Sequence, residues 1–202
     1  MFAIKSKSLK TELYRKAVHL SSLWMPLLML LVNRNWCIVV FSVLLVVNYM
    51  VELASFYKVP VVGTVFRKLF IKTLRGHEIS RDQFVPSGAV YVLAAALSVV
   101  VCYNARAAAT AMAVMLIADS CAALFGKTFG TYRFLNNKSV EGVLAFFISA
   151  MMVIRFSYPS SSEGMILVAC VLATAAEFFE KKLKIDDNFS IPLVCGFILN
   201  LL

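Results

Sequence analysis

Histidine is scarce in this sequence, which holds only His19 and His77, and no G-x-S-x-G segment occurs. A serine hydrolase needs a histidine base beside a nucleophile, and many present that nucleophile on this sharp turn. The composition therefore argues against Ser–His–Asp chemistry.

Cysteine is also sparse, and the five cysteines form no C-x-x-C pair. Neither a disulfide framework nor a zinc site is indicated. We interpret the cysteines as small apolar residues, because all of them fall inside or at the ends of apolar runs. A P-loop is missing as well: FGKT would need glycine at position 121 to complete GxxxxGK[ST], and that position is cysteine.

Apolar residues are abundant, since 61% of the chain is hydrophobic, against about 45–50% in soluble domains. Apolar runs long enough to cross roughly 30 Å of hydrocarbon predict an all-α, multi-pass bundle of about seven spans. We expect one integral membrane domain over residues 1–202. The runs cover residues 17–33, 35–54, 84–103, 105–125, 141–158, 164–180 and 188–202. The last is short, so whether it crosses fully stays open.

Basic residues set the predicted orientation. With seven spans, seventeen of the twenty lysines and arginines fall on one side, leaving Arg34, Arg106 and Arg155 on the other. Basic loops stay in the cytoplasm, so the N-terminus is predicted to be cytoplasmic. The formal charge of +9 then follows from topology. We expect no nucleic-acid partner, and contact instead with the lipid bilayer and its anionic headgroups.

Residues 55–83 form the longest stretch between predicted spans. Lys68, Lys72 and Arg75 share one helical stripe, and apolar residues occupy the other side. This pattern predicts an amphipathic helix lying in the cytoplasmic interface.

Polar residues in or beside the spans converge on the predicted cytoplasmic rim. A charged residue within a span is costly and indicates function by default. Even-numbered spans end at this rim and odd-numbered spans begin there. The residues brought together are Arg15, Lys16, His19, Asn48, Glu52, Asp119, Glu141, Glu177, Glu180, Asp187 and Asn188.

Two spacings suggest ligand contacts, and each leaves an alternative open. Arg15, Lys16 and His19 share a helical face that suits a phosphate, although an ordinary juxtamembrane basic cluster has the same pattern. Asn48 and Glu52 also share a face, which fits either a site or an interhelical hydrogen bond.

The segment GKTFGTYRFLNNKSVEG, residues 126–142, follows Asp119 by about two helical turns. Its glycines allow a backbone to approach a ligand closely, and its cations and N–H groups suit an anion. A connector that carries charge for topology is the alternative.

Six segments, in order, resemble the CTP-dependent lipid-alcohol kinases, which include dolichol kinase, phytol kinase and the yeast-type diacylglycerol kinase. The similarity covers residues 12 to 192. The segments are ELYRKAVHL, NYMVELASFY, LRGHEISRDQFVPSGAVYVL, ADSCAALFGKTFG, NKSVEG and DDNFSIP. The family is distantly similar to the CDP-diacylglycerol synthases, whose signature is absent here.

The resemblance implies transfer of the γ-phosphoryl group of CTP to a membrane lipid alcohol such as a polyprenol, dolichol, diacylglycerol or phytol. It also implies Mg²⁺ and an active site facing the cytoplasm from a bacterial inner or ER-type membrane. The implied catalytic residues are Arg15, Lys16, Asp119, Lys138 and Glu141. The implied metal ligands are Asp119 and Asp187. The implied nucleotide-binding residues are His19, Asn48, Glu52, Gly126, Lys127, Gly130, Ser139, Gly142, Glu177 and Asn188.

Some roles stay open within this assignment. Asp119 is expected either to hold Mg²⁺ or to act as the base toward the alcohol, and Glu141 and Asp187 are further candidates for both. Cytidylyl transfer to form a CDP-lipid is the alternative reaction. A small non-enzymatic transporter or scaffold is less favoured, because transporters carry inverted repeats and midplane charges and this sequence shows neither.

Overall fold

A computed structural model describes residues 2–60, 84–134 and 136–202. In these ranges the secondary structure is helical apart from an isolated bridge between Arg133 and Ser139, so the all-α prediction is confirmed there. The helices are α1 Phe2–Ser21, α2 Trp24–Leu31, α3 Arg34–Phe56, α4 Gly88–Cys102, α5 Ala105–Thr128, α6 Val140–Ser157, α7 Glu163–Phe178, α8 Glu180–Leu183 and α9 Asp187–Leu199. Most of the predicted interfacial helix, residues 61–83, lies outside the described residues.

Short polar side chains fix where the helices begin. Asn104 accepts a hydrogen bond from the Ala107 amide at the start of α5, and Ser139 accepts one from Gly142 at the start of α6. These bonds satisfy amide groups that have no partner inside the helix. Caps of the same type precede α3, α4, α7 and α9, from Asn33, Ser87, Ser162 and Asp186.

Helix α5 is the centre of the bundle and packs against α1, α2, α4, α6 and α9. Ala107, Ala108, Ala111 and Ala118 on this helix have no exposed surface. Small side chains allow neighbouring helices to approach closely, as in membrane bundles. The alanine-rich run is therefore the element around which the others assemble.

Three described helices, Arg34–Phe56, Ala105–Thr128 and Val140–Ser157, are long and apolar enough to cross a membrane. Helices Gly88–Cys102 and Asp187–Leu199 are apolar but shorter. These helices are compatible with a membrane protein, and a total of seven spans stays a prediction. The first predicted run, residues 17–33, is divided between α1 and α2, which a turn at residues 22 and 23 separates.

The arginines predicted for the outer side lie together at one end of the bundle. Arg34 donates to the Val101 carbonyl, and Arg155 pairs with Glu163 at 3.2 Å. The Arg106 guanidinium lies 5.0 Å from the ring centre of Tyr158. The opposite end, where α5 ends and α6 begins, holds the candidate site.

Candidate functional site

A cavity of about 370 Å³ lies where the end of α5, the start of α6 and the start of α9 meet. Its lining is strongly charged and balanced in sign. The bases are Arg15, Lys127, Arg133, Lys138 and Lys181, and the acids are Glu12, Asp119, Glu177, Glu180 and Asp187. Ala122, Ala123 and Val143 add an apolar wall. The cavity thus combines charged groups with an apolar surface at one end of the bundle.

Asp119 is buried in α5 and is contacted by two basic groups from α1. Lys16, also buried, donates a hydrogen bond to Oδ2 of Asp119, and Nε2 of His19 lies 3.4 Å from the same oxygen. A buried charge is tolerated when it is paired in this way. Lys16 therefore serves first as the charge partner of Asp119, whereas Nε2 of His19 has no hydrogen-bond partner among the described residues. Arg15 is the member of this group that lines the cavity.

Glu12 is a buried carboxylate that is not among the residues predicted for the site. It accepts hydrogen bonds from Arg15 at 2.5 Å and from Lys127 at 2.6 Å. Burial alone would raise the pKa of Glu12, but the hydrogen bond from Lys127 and the charge of Arg15 bring that pKa below its ordinary value. Glu12 thereby ties α1 to the end of α5.

Lys138 occupies the other side of the cavity. Its ammonium donates to Oε1 of Glu177 at 2.6 Å and lies 3.5 Å from Oε2 of Glu180. Burial would lower the pKa of Lys138, but the adjacent Glu177 carboxylate raises it above its ordinary value. Lys138 is consequently a permanent cation beside the cavity.

A group of carboxylates suited to a cation is formed by Glu180, Asp186 and Asp187. One oxygen from each lies within 4.8 Å of the others, and carboxylate oxygens are the protein ligands that Mg²⁺ prefers. Nearby Oε2 of Glu177 is buried with no hydrogen-bond partner among the described residues. The donor set fits a divalent ion, and it includes Asp187, one of the two predicted metal ligands.

The three predicted glycines pack against one another and against Ser139. A Cβ at Gly130 would lie 2.2 Å from the Gly126 carbonyl oxygen and 2.8 Å from Cβ of Ser139. A Cβ at Gly142 would lie 3.0 Å from the Ala122 oxygen. The close packing of α5, the loop and α6 therefore explains why glycine occupies these positions. Gly126, Gly142 and Ser139 also line the cavity.

Besides Lys16, His19 and Gly130, four predicted residues lie away from the cavity lining. Glu141 accepts a hydrogen bond from the Thr131 amide at 2.8 Å and steadies the loop. Glu52 accepts from the amide of Ser87 at 2.9 Å and from its hydroxyl, which joins α3 to the start of α4. Asn48 Oδ1 is buried with no hydrogen-bond partner among the described residues. Asn188 donates to Asp186 at 2.7 Å.

Several cavity residues carried only weak sequence signals. Glu12 lies three residues before Arg15 on a helix, which is the spacing of a surface ion pair. Arg133 and Lys181 fall in basic segments that are predicted to be loops, where their charge is already explained by topology. Their place in the cavity depends on contacts between segments far apart in sequence.

The chain is similar to an uncharacterized protein of Rickettsia prowazekii, with 27% identity over 194 residues that cover 94% of both chains. It is also similar to an uncharacterized protein of Methanocaldococcus jannaschii, with 28% identity over 198 residues covering 94% of this chain and 93% of the relative. No protein-family model matches the chain. No solved structure matches it either. The relatives share nearly the whole length of the chain, and their names assign no activity.

Proposed function

We propose that this protein is an integral membrane lipid kinase that transfers the γ-phosphoryl group of CTP to a membrane lipid alcohol. The observation that supports this most is the charged cavity at one end of an apolar bundle. A hydroxyl carried by a lipid and a phosphate carried by a soluble nucleotide can meet only at such a boundary. The choice of CTP rests on the resemblance of the six sequence segments.

Phosphoryl transfer is catalysed mainly by positioning and by compensation of charge on the phosphoryl oxygens. Lys127 and Lys138 border the cavity, each paired with a carboxylate, and are candidate contacts to the phosphates. Asp119 is the candidate base toward the lipid hydroxyl, and Lys16 compensates the charge that Asp119 carries. Glu12 holds Arg15 and Lys127 beside the cavity as a positioning residue.

When bound, Mg²⁺ would neutralise phosphate charge, and Glu180, Asp186 and Asp187 are the residues that would hold it. In the proposed arrangement the chain crosses the membrane about seven times. The cavity faces the cytoplasm, where the nucleotide is available. The separation of Arg34, Arg106 and Arg155 from the cavity end supports this orientation.

The proposal is tested with purified protein, a panel of lipid alcohols and γ-labelled CTP and ATP, with and without Mg²⁺. We expect Mg²⁺-dependent labelling of at least one alcohol. Asp119→Asn should abolish the labelling, with Glu163→Gln at the opposite end as the control. An Asp119→Asn protein that is normally expressed and fully active would remove Asp119 from the reaction.

A further inference from the structure

Two cations at the cavity, Arg133 and Lys181, differ from the others in what they contact. Arg15, Lys127 and Lys138 each bind a carboxylate. Arg133 instead donates to the carbonyls of Asn137 at 2.9 Å and of Gly126 at 3.4 Å. Lys181 donates to the carbonyl of Asn136 at 2.8 Å.

A carbonyl oxygen anchors a cation but does not cancel its charge. No carboxylate among the described residues forms an ion pair with Arg133 or Lys181. Both side chains are exposed, and both line the cavity. Their full charge and most of their N–H donors are therefore available to an anion.

The loop between α5 and α6 brings these two cations together. Asn136 and Asn137 are adjacent, and their carbonyls receive Lys181 and Arg133 respectively. Asn137 adopts a left-handed conformation (φ 66°), and the Asn136 amide donates to the Phe178 carbonyl at 2.8 Å. The turn is thus fixed to the end of α7, and the two cations are bonded to adjacent carbonyls of that turn.

We propose that Arg133 and Lys181 form the subsite that receives the polyphosphate chain of the nucleotide. The inference rests on the proposed kinase function and specifies where the nucleotide is recognised. A polyphosphate carries several charges and accepts bonds from both a guanidinium and an ammonium. Glu180 precedes Lys181 and belongs to the carboxylate group suited to Mg²⁺. A polyphosphate that carries Mg²⁺ would therefore complement the two cations through its oxygens and the carboxylates through its metal ion.

The test compares Arg133→Gln and Lys181→Gln with Lys182→Gln. Lys182 is an exposed neighbour that loses the same charge and does not line the cavity. We expect each subsite variant to raise KM for CTP about fivefold with kcat nearly unchanged, and the double variant to raise it about twenty-five-fold. The KM of Lys182→Gln should stay close to that of wild type. The KM of Lys181→Arg, which keeps the positive charge, should also stay close to that of wild type.

Binding of inorganic triphosphate to the purified protein, measured by calorimetry, separates the subsite from the reaction. Wild type should bind it, and Arg133→Gln/Lys181→Gln should lose that binding while unfolding at the wild-type temperature. Unchanged KM and triphosphate affinity in the double variant would overturn the subsite even if γ transfer is intact. If no nucleotide supports γ transfer, the kinase function fails, and triphosphate binding alone decides the subsite.

Discussion

The buried pair of Lys16 and Asp119 allows a structural role to be separated from a chemical one. Lys16 is 5% exposed and Asp119 is 7% exposed. Removing one partner of a buried pair costs about 3–5 kcal/mol, because the other charge stays in a poorly solvating environment. Replacing both by apolar residues of similar size is often neutral. Lys16→Met and Asp119→Leu should each destabilise the fold, and the double variant should recover.

The expected destabilisation of the single variants can be expressed as a change in melting temperature. For a chain of this size, 1 kcal/mol corresponds to about 2–4 °C, so each single variant should lose on the order of 10 °C. Arg155→Met is the matched control, because its partner Glu163 lies at 3.2 Å but both side chains are well exposed. An exposed pair contributes at most about 1 kcal/mol, and the control should move by only a few degrees.

Thermal unfolding in detergent can be followed with a thiol-reactive dye, since Cys37, Cys170 and Cys195 are free and buried. The double variant should melt near wild type and have no transferase activity. Single variants as stable as wild type would refute a buried ion pair between Lys16 and Asp119. A double variant that loses the sum of the two single effects would refute it equally. A stable and fully active double variant would show that the pair is structural only.

Three further predictions follow from the site. Gly130→Ala should destabilise the fold by about 1–3 kcal/mol through overpacking, because the new Cβ would lie 2.2 Å from the Gly126 oxygen. Gly164→Ala is the control, since a Cβ at Gly164 meets nothing within 4 Å. The melting temperatures of the two variants measure the difference, and equal stability would contradict the packing at Gly130. The lowered pKa of Glu12 means that its contribution to stability is present above the ordinary value of 4.5 and is lost as the pH falls through the lower folded value. As the pH falls below 4.5, the melting temperature of Glu12→Gln should therefore decrease less than that of wild type. An equal decrease in both proteins would contradict the Glu12 contacts. Asp187→Asn should raise the Mg²⁺ concentration needed for half-maximal activity about tenfold or more, measured by Mg²⁺ titration with Glu163→Gln as the control, and an unchanged Mg²⁺ requirement would remove Asp187 from the metal site.

The sequence predicts the convergence of polar residues at one end, because span boundaries follow from hydropathy. Asp119, Glu177, Glu180 and Asp187 all line the cavity, as expected from that argument. Which partner each of two adjacent residues contacts is harder to predict. Arg15 and Lys16 are neighbours that diverge around the helix, so Lys16 meets Asp119 while Arg15 meets Glu12.

Other features depend on partners distant in sequence and carry no local pattern. Glu12 binds Lys127 across 115 positions, and Asn136 binds Phe178 across 42. Hydropathy does not predict the turn at residues 22 and 23 that divides the first apolar run, because Leu23 is itself apolar. The glycines around Ser139 are predicted to let a ligand approach the backbone, and spacing alone does not distinguish that role from the backbone packing that the structure shows.

The central claim is tested most directly by supplying purified protein with CTP labelled at either the α or the γ phosphate, together with Mg²⁺ and a lipid alcohol, and then separating the lipids. If the protein is a lipid kinase, only the γ label should enter the lipid. Transfer of the α label would identify cytidylyl transfer, and absence of either label from every lipid alcohol tested would contradict the kinase function.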